Sequence, residues 1–254
     1  MSEVIKRNPA TKLFEVIDEA RSYDMGVFTK DVWSGVFDMP DELDQDDVLF
    51  KVLESLVALR KLFNETINSL HQIPDINEEL FIEPIRRLAR IVDLHGLHKE
   101  WGDYKKYILP QDMHSLKYCE FLLSRHTEYQ ENIVPDEELK AILKGLNELY
   151  ESVIASSLPS ELKQSILTLI QDIRQAIHLY RINGAEALRE ALTKSMGVII
   201  ANKDSFEENK DASEVQSLMN MLVRIDKLYT FAIKMKPVLE AAANIIPALA
   251  AHIK

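Results

Sequence analysis

The chain has 254 residues, of which 46% are hydrophobic and 28% charged, with a formal net charge of −11 and a single cysteine. This is the composition of an ordinary globular chain, not of a collagen-like, disulfide-stapled or disordered one, and one cysteine forms no internal disulfide. An acidic chain repels a phosphate backbone, so duplex nucleic acid is not an expected ligand.

Helical periodicity runs through the chain, with no long apolar–polar alternation to suggest a sheet. The expected fold is all-α: one or more antiparallel multi-helix bundles, about eight to ten helices, no sheet. Asn8 and Pro9 read as a cap and first helical residue, followed by the face Leu13, Ile17 and Ala20. A short helix is expected over 31–37. Asp46 and Asp47 should open a long helix with the stripe Leu49, Leu53, Leu56, Phe63, Ile67 and Leu70. Val52, Leu59 and Leu62 widen that surface, which predicts burial on two sides.

Pro84 is expected to start the next helix and Gly96 to end it as a left-handed cap. A connector over 97–111 holds at most a turn. Asp112 should cap a helix bearing Met113, Leu116, Cys119 and Leu123, and Pro135 another with Leu139, Leu146 and Val153. A Pro-containing break at 157–160 marks a soft boundary between an acidic part, 1–157, and a neutral bundle, 158–254. Beyond it come Ile166, Ile170, Ile173, Ile177 and Tyr180, a tight turn at Asn183 and Gly184, and then Leu188, Leu192, Met196 and Ile199. A polar loop over 203–213 precedes Val215, Leu218, Leu222, Ile225, Tyr229 and Ala232. The stripes at 166–180 and 215–232 are heptad-like and run for two heptads or a little more. They close a bundle within the chain or pair two copies of it.

Phosphate-cradling glycine loops, nucleophile elbows and paired Glu-x-x-His ligands are absent from the sequence. One group of titratable residues stands out: Asp93, His95, His98 and Glu100, with Asp112, His114 and His126 further on. His95, His98 and His114 are the candidate catalytic residues, and Asp93, His95 and His98 the candidate metal ligands, although Gly96 interrupts the helix that would aim two histidines at one ion. Cys119 lies on an apolar face and reads as a core residue. Arg86, Arg87, Arg90, Lys99, Lys105 and Lys106 form the most basic stretch, interrupted by acids.

Residues 1–50 hold 12 acidic and 5 basic residues. The densest acids are Asp38, Asp41, Glu42, Asp44, Asp46 and Asp47: either a solvated loop running into an acidic helix start, or a docking strip for a basic protein partner. The expected function is a non-catalytic protein–protein interaction module, such as an adaptor, inhibitor or immunity- or antitoxin-type partner, using this surface and no cofactor. The alternatives are a metal-assisted, hydrolase-like enzyme around His95 and His98, and a membrane-acting effector using the apolar segment 238–253. That segment is too short to span a bilayer, and the first residues hold no apolar run of signal-peptide length, so a cytoplasmic setting is expected.

Overall fold

A computed structural model describes residues 6–39, 44–125 and 131–233. These described residues are 78% helical, with eleven helices among them, nine of them seven residues or longer. Two strands of two residues each, β1 (Lys6–Arg7) and β2 (Glu131–Asn132), pair with one another. The helices are α1 (Pro9–Ser22), α2 (Thr29–Val36), α3 (Gln45–His71), α4 (Glu78–Leu88), α5 (Gly102–Lys105), α6 (Pro110–Ser124), α7 (Asp136–Ala155), α8 (Ser160–Asn183), α9 (Ala185–Ala201), α10 (Lys203–Glu208) and α11 (Ser213–Ile233). None of them is long and apolar enough to cross a membrane. The segment 238–254 lies outside the described residues.

Contacts divide the chain into two compact units. The N-terminal unit holds α1 to α6 together with residues 181–183 at the end of α8, and the C-terminal unit holds the chain from Asn132 to Tyr180 and from Gly184 onward. The break at 157–160 falls inside the C-terminal unit, between α7 and α8.

In the N-terminal unit, Asn8 caps α1 by accepting the Thr11 N–H (3.1 Å), and Leu13, Val16, Ile17 and Ala20 are fully buried. α1 packs on α3 and α6, and α4 packs along α6. α4 starts earlier than its proline suggested. Asn77 accepts the Leu80 N–H (3.0 Å), Glu78 and Glu79 occupy the first turn, and Pro84 sits buried inside the helix. A good cap with acids at the positive end of the dipole outweighs the loss of one backbone bond at the proline.

Asp112 is not a cap either. Leu109 precedes α6, Pro110 opens it, and Asp112 is fully buried, taking both arms of Arg87 from α4 (2.6 and 3.1 Å). That fork is the polar fastening between α4 and α6, and it holds the Arg87 guanidinium above its ordinary pKa.

The end of α8 is gripped by cations of the same unit. Arg7 donates to Glu15 (2.6 Å) and to the Arg181 carbonyl (3.0 Å), and Lys12 reaches the Asn183 carbonyl (3.5 Å). Both cations meet the negative end of the helix dipole, which explains why such residues are nearly buried. Arg181 itself pairs with Glu19 and donates to the Val36 carbonyl (2.7 Å).

The C-terminal unit follows its stripes closely. Ile166, Ile170, Ile173, Ile177 and Tyr180 of α8 join Leu188, Leu192, Met196 and Ile199 of α9 and the whole stripe of α11 in one buried cluster. The faces 166–180 and 215–232, considered above for pairing two copies, are thus spent inside the chain. Gly184 turns α8 into α9 at φ 62°, a conformation that costs an L residue and not glycine. The segment 203–213 is not a plain polar loop. It carries α10, whose Phe206 is fully buried in the same cluster.

Replacing Arg87 with methionine should destabilise the protein by about 2 kcal/mol, lowering Tm by roughly 4–8 °C, since Asp112 is left buried without its partner while the half-hydrated arginine limits the loss. Thermal unfolding followed by circular dichroism checks this, with Arg87→Lys expected to fall between the two.

Candidate functional site

The site is assembled in the N-terminal unit by two loops that zip together. The loop after α1 (residues 23–28) runs beside the loop 92–101. The Trp101 N–H donates to the Val27 carbonyl (2.8 Å), Gly102 N–H to Met25 (2.8 Å), Thr29 N–H to Lys99 (2.9 Å) and Lys30 N–H to Leu97 (2.9 Å). Trp101 is fully buried, donates its indole N–H to the Ala20 carbonyl (3.0 Å), and meets Trp33 edge-on at 5.5 Å between centroids. Sequence separations of about 70 residues are closed here by backbone groups.

Asp93 shapes the turn that follows. Its carboxylate accepts the Tyr104 hydroxyl (2.8 Å) and the His95 N–H (3.0 Å), which hold its pKa below the usual carboxylate range. Tyr104 is pushed up to about 12, chiefly by burial and then by the Asp93 hydrogen bond. Gly96 is not a left-handed cap, since Gly184 is the one glycine with positive φ among the described residues. A Cβ at Gly96 would fall on the Tyr104 hydroxyl, and that close approach is why glycine stands there.

Between this turn, the start of α2 and the first half of α3 opens a hollow of about 520 Å³. Phe28, Leu49, Leu53, Leu94 and Leu97 give it apolar walls, and Lys30, Asp31, His95 and His98 stand at its edges. Phe28 and Leu94 are 56% and 42% exposed, an unusual placement for large apolar groups beside a cavity.

α3 has two apolar faces. The inner one, Val52, Leu56, Leu59, Leu62, Phe63 and Leu70, is buried. Leu49 and Leu53 leave that stripe and turn to the hollow. The outer face carries Phe50 and Val57, 62% and 44% exposed, with Leu53 between them. Burial on two sides, expected from the sequence, is met on one side.

The acids of the 38–47 run have separate duties. Asp38 lies in the left-handed region (φ 51°) just after α2, where its N–H bonds to Gly35 O and the following Met39 N–H to Ser34 O (both 3.0 Å), so it closes the helix C-terminus. Asp44 is the N-cap of α3, accepting the N–H groups of Asp46 (3.0 Å) and Asp47 (2.8 Å). Asp46 and Asp47 stand exposed in the first turn. Asp41 and Glu42 lie outside the described residues.

His95 and His98 are brought to one hollow, both exposed. His114 is exposed on α6 and does not line it, and Asp93 is engaged by Tyr104 and the His95 backbone. Among the described residues no three His, Cys, Asp or Glu side chains are grouped as a metal ion requires. His126 lies outside them. Cys119 is buried, its thiol pushed up to about 12 by burial, which makes it a poor nucleophile. The basic stretch is spent locally: Arg86 on Glu83, Arg87 on Asp112, and Lys105 on the Tyr23 carbonyl (2.7 Å). Arg90 and Lys106 lie against the Tyr107 ring.

No protein-family model matches this chain, and comparison with curated proteins and with solved structures returns no match. Phe28, Phe50, Val57 and Leu94 are the residues that sequence reasoning passed over. For Phe50 and Val57 a signal existed, because they stand seven apart on the face of α3 opposite its buried seam.

Substituting Gly96 with alanine should cost about 2 kcal/mol by forcing Tyr104 off Asp93. Urea unfolding measures it. In a Tyr104→Ala background, where the obstructing ring is gone, the added cost of Gly96→Ala should largely vanish.

Proposed function

We propose that this chain is a non-catalytic protein-interaction module, of the adaptor, inhibitor or antitoxin kind, acting in the cytoplasm. Its binding surface is the acidic head and outer face of α3 with the hollow beside it. The observation that carries the reading is the stripe of exposed Phe50 and Val57 with half-buried Leu53 between them, headed by Asp44, Asp46 and Asp47 and continuous with an apolar hollow. Large apolar groups in one continuous patch, headed by acids at the start of α3, suit a partner that offers apolar anchors and basic side chains to that end. The carboxylates hasten the encounter, and the apolar contact holds it.

Affinity capture at low and moderate salt tests this. Wild-type protein should bind one protein stoichiometrically, less well as salt rises, and the Asp44→Asn, Asp46→Asn, Asp47→Asn variant should lose it. Asparagine at 44 preserves the cap, so the fold is retained. A variant that captures the same proteins at the same salt overturns the reading.

A second reading rests on His95, His98 and Asp31 sharing the hollow. Two imidazoles beside a carboxylate suit general acid–base work in a hydrolase. Under it, a panel of activated ester and phosphoester substrates shows turnover that His95→Ala with His98→Ala abolishes at unchanged Tm. An inactive wild type eliminates it.

A further inference from the structure

We propose that the partner seated on the outer face of α3 is a second copy of this chain, its α3 running antiparallel to the first. The inference rests on the reading of that face as a binding surface and names its occupant. At 3.6 residues per turn, Asp46, Phe50, Leu53, Val57, Arg60 and Lys61 fall on one side of α3, opposite the buried seam of Val52, Leu56, Leu59 and Phe63. Asp46, Phe50, Val57 and Lys61 are exposed and Leu53 half-buried, while Arg60, also exposed, donates to the Ala89 carbonyl (3.0 Å) and leaves Lys61 as the base at the foot of the face. The face is therefore acidic at its head, apolar in the middle and basic at its foot.

That order is self-complementary in one orientation. A two-fold axis through the point between Leu53 and Glu54 brings Asp46 of one copy level with Lys61 of the other, and Phe50 level with Val57. By symmetry every pair occurs twice. Asp46 and Lys61 are separated by about 22 Å of helix, so the two charged ends sit equally far from the axis on either side of the apolar centre. A parallel pairing would instead set acid on acid and base on base. The basic partner that the acidic head calls for is thus present on the same helix. One helix face from each copy makes a small interface, and small interfaces are commonly weak, so association is expected in the range on the order of 1–100 µM.

The test is sedimentation equilibrium of the full chain from about 1 to 100 µM, the range that such an interface implies. Wild type should shift from monomer to dimer, more weakly at raised salt. Asp46→Lys and Lys61→Glu each place like charges together twice, so each variant alone should lose dimer affinity by about ten-fold or more. An equimolar mixture of the two restores opposite charges at both ends, and a heterodimer should form more tightly than either variant with itself. These positions are solvent-exposed, so circular dichroism and Tm should stay close to wild type. Phe50→Ser should weaken the dimer irrespective of salt. A wild type that stays monomeric throughout overturns the proposal. So does a dimer indifferent to both charge reversals, or a mixture that does not recover. If self-association fails while the asparagine variant still loses a captured protein, the surface binds another protein and the interaction reading stands. If both fail, the outer face of α3 is not a binding surface.

Discussion

At the end of α1 the Ala20 carbonyl takes the Tyr23 N–H in the closing turn (3.3 Å) and still has a lone pair to offer, and much of the N-terminal unit is arranged around the donors that meet this helix end. Trp101 donates its indole N–H to Ala20 and Lys105 its ammonium to Tyr23, from a segment about 80 residues away. Once Trp101 is fixed there, its ring sets the positions of Trp33 and Tyr104, which stack on or against it. Tyr104 then holds Asp93, Asp93 holds the His95 N–H, and the turn that carries Leu94, Leu97 and His98 is placed beside α3. The hollow therefore depends on a requirement of buried backbone, that every polar group find a partner.

The two units obtain their order by different means. The C-terminal unit is a set of long helices whose stripes at three- and four-residue spacing meet neighbouring stripes across short turns, so nearly all its core was legible in the sequence. Leu188, Leu192, Met196 and Ile199, for example, are all buried as their spacing predicts. The N-terminal unit relies on side chains that bond to distant backbone. Pro84, Gly96 and Asp112 each carry a local signal, for a helix start, a helix end and a cap. Each serves another purpose, because Asn77 caps better, Tyr104 leaves no room for a Cβ, and Arg87 arrives from another helix. A residue's local preference is worth about 1 kcal/mol, and a buried ion pair or a tight ring contact outweighs it.

The candidate site was legible in its charge and not in its shape. His95 and His98 share one hollow, but the hollow itself comes from Phe28, Leu49 and Leu53, which one sequence cannot bring together. Phe206 shows the converse: a single aromatic in a polar stretch organised a helical turn by burying itself.

The acidic run from 38 to 47 shows why contiguous charge is a poor guide to a binding surface. Asp38 closes one helix through its left-handed backbone and Asp44 opens the next through its carboxylate, so both serve local structure. Asp46 and Asp47 remain, and they stand at the positive end of the α3 dipole, which offsets part of the field they project. Charge at this end therefore sets orientation more than strength. Whatever binds along α3 must take its affinity from covering Phe50, Leu53 and Val57, and from the water released there. The acids at the head and the base at the foot decide which way round it lies.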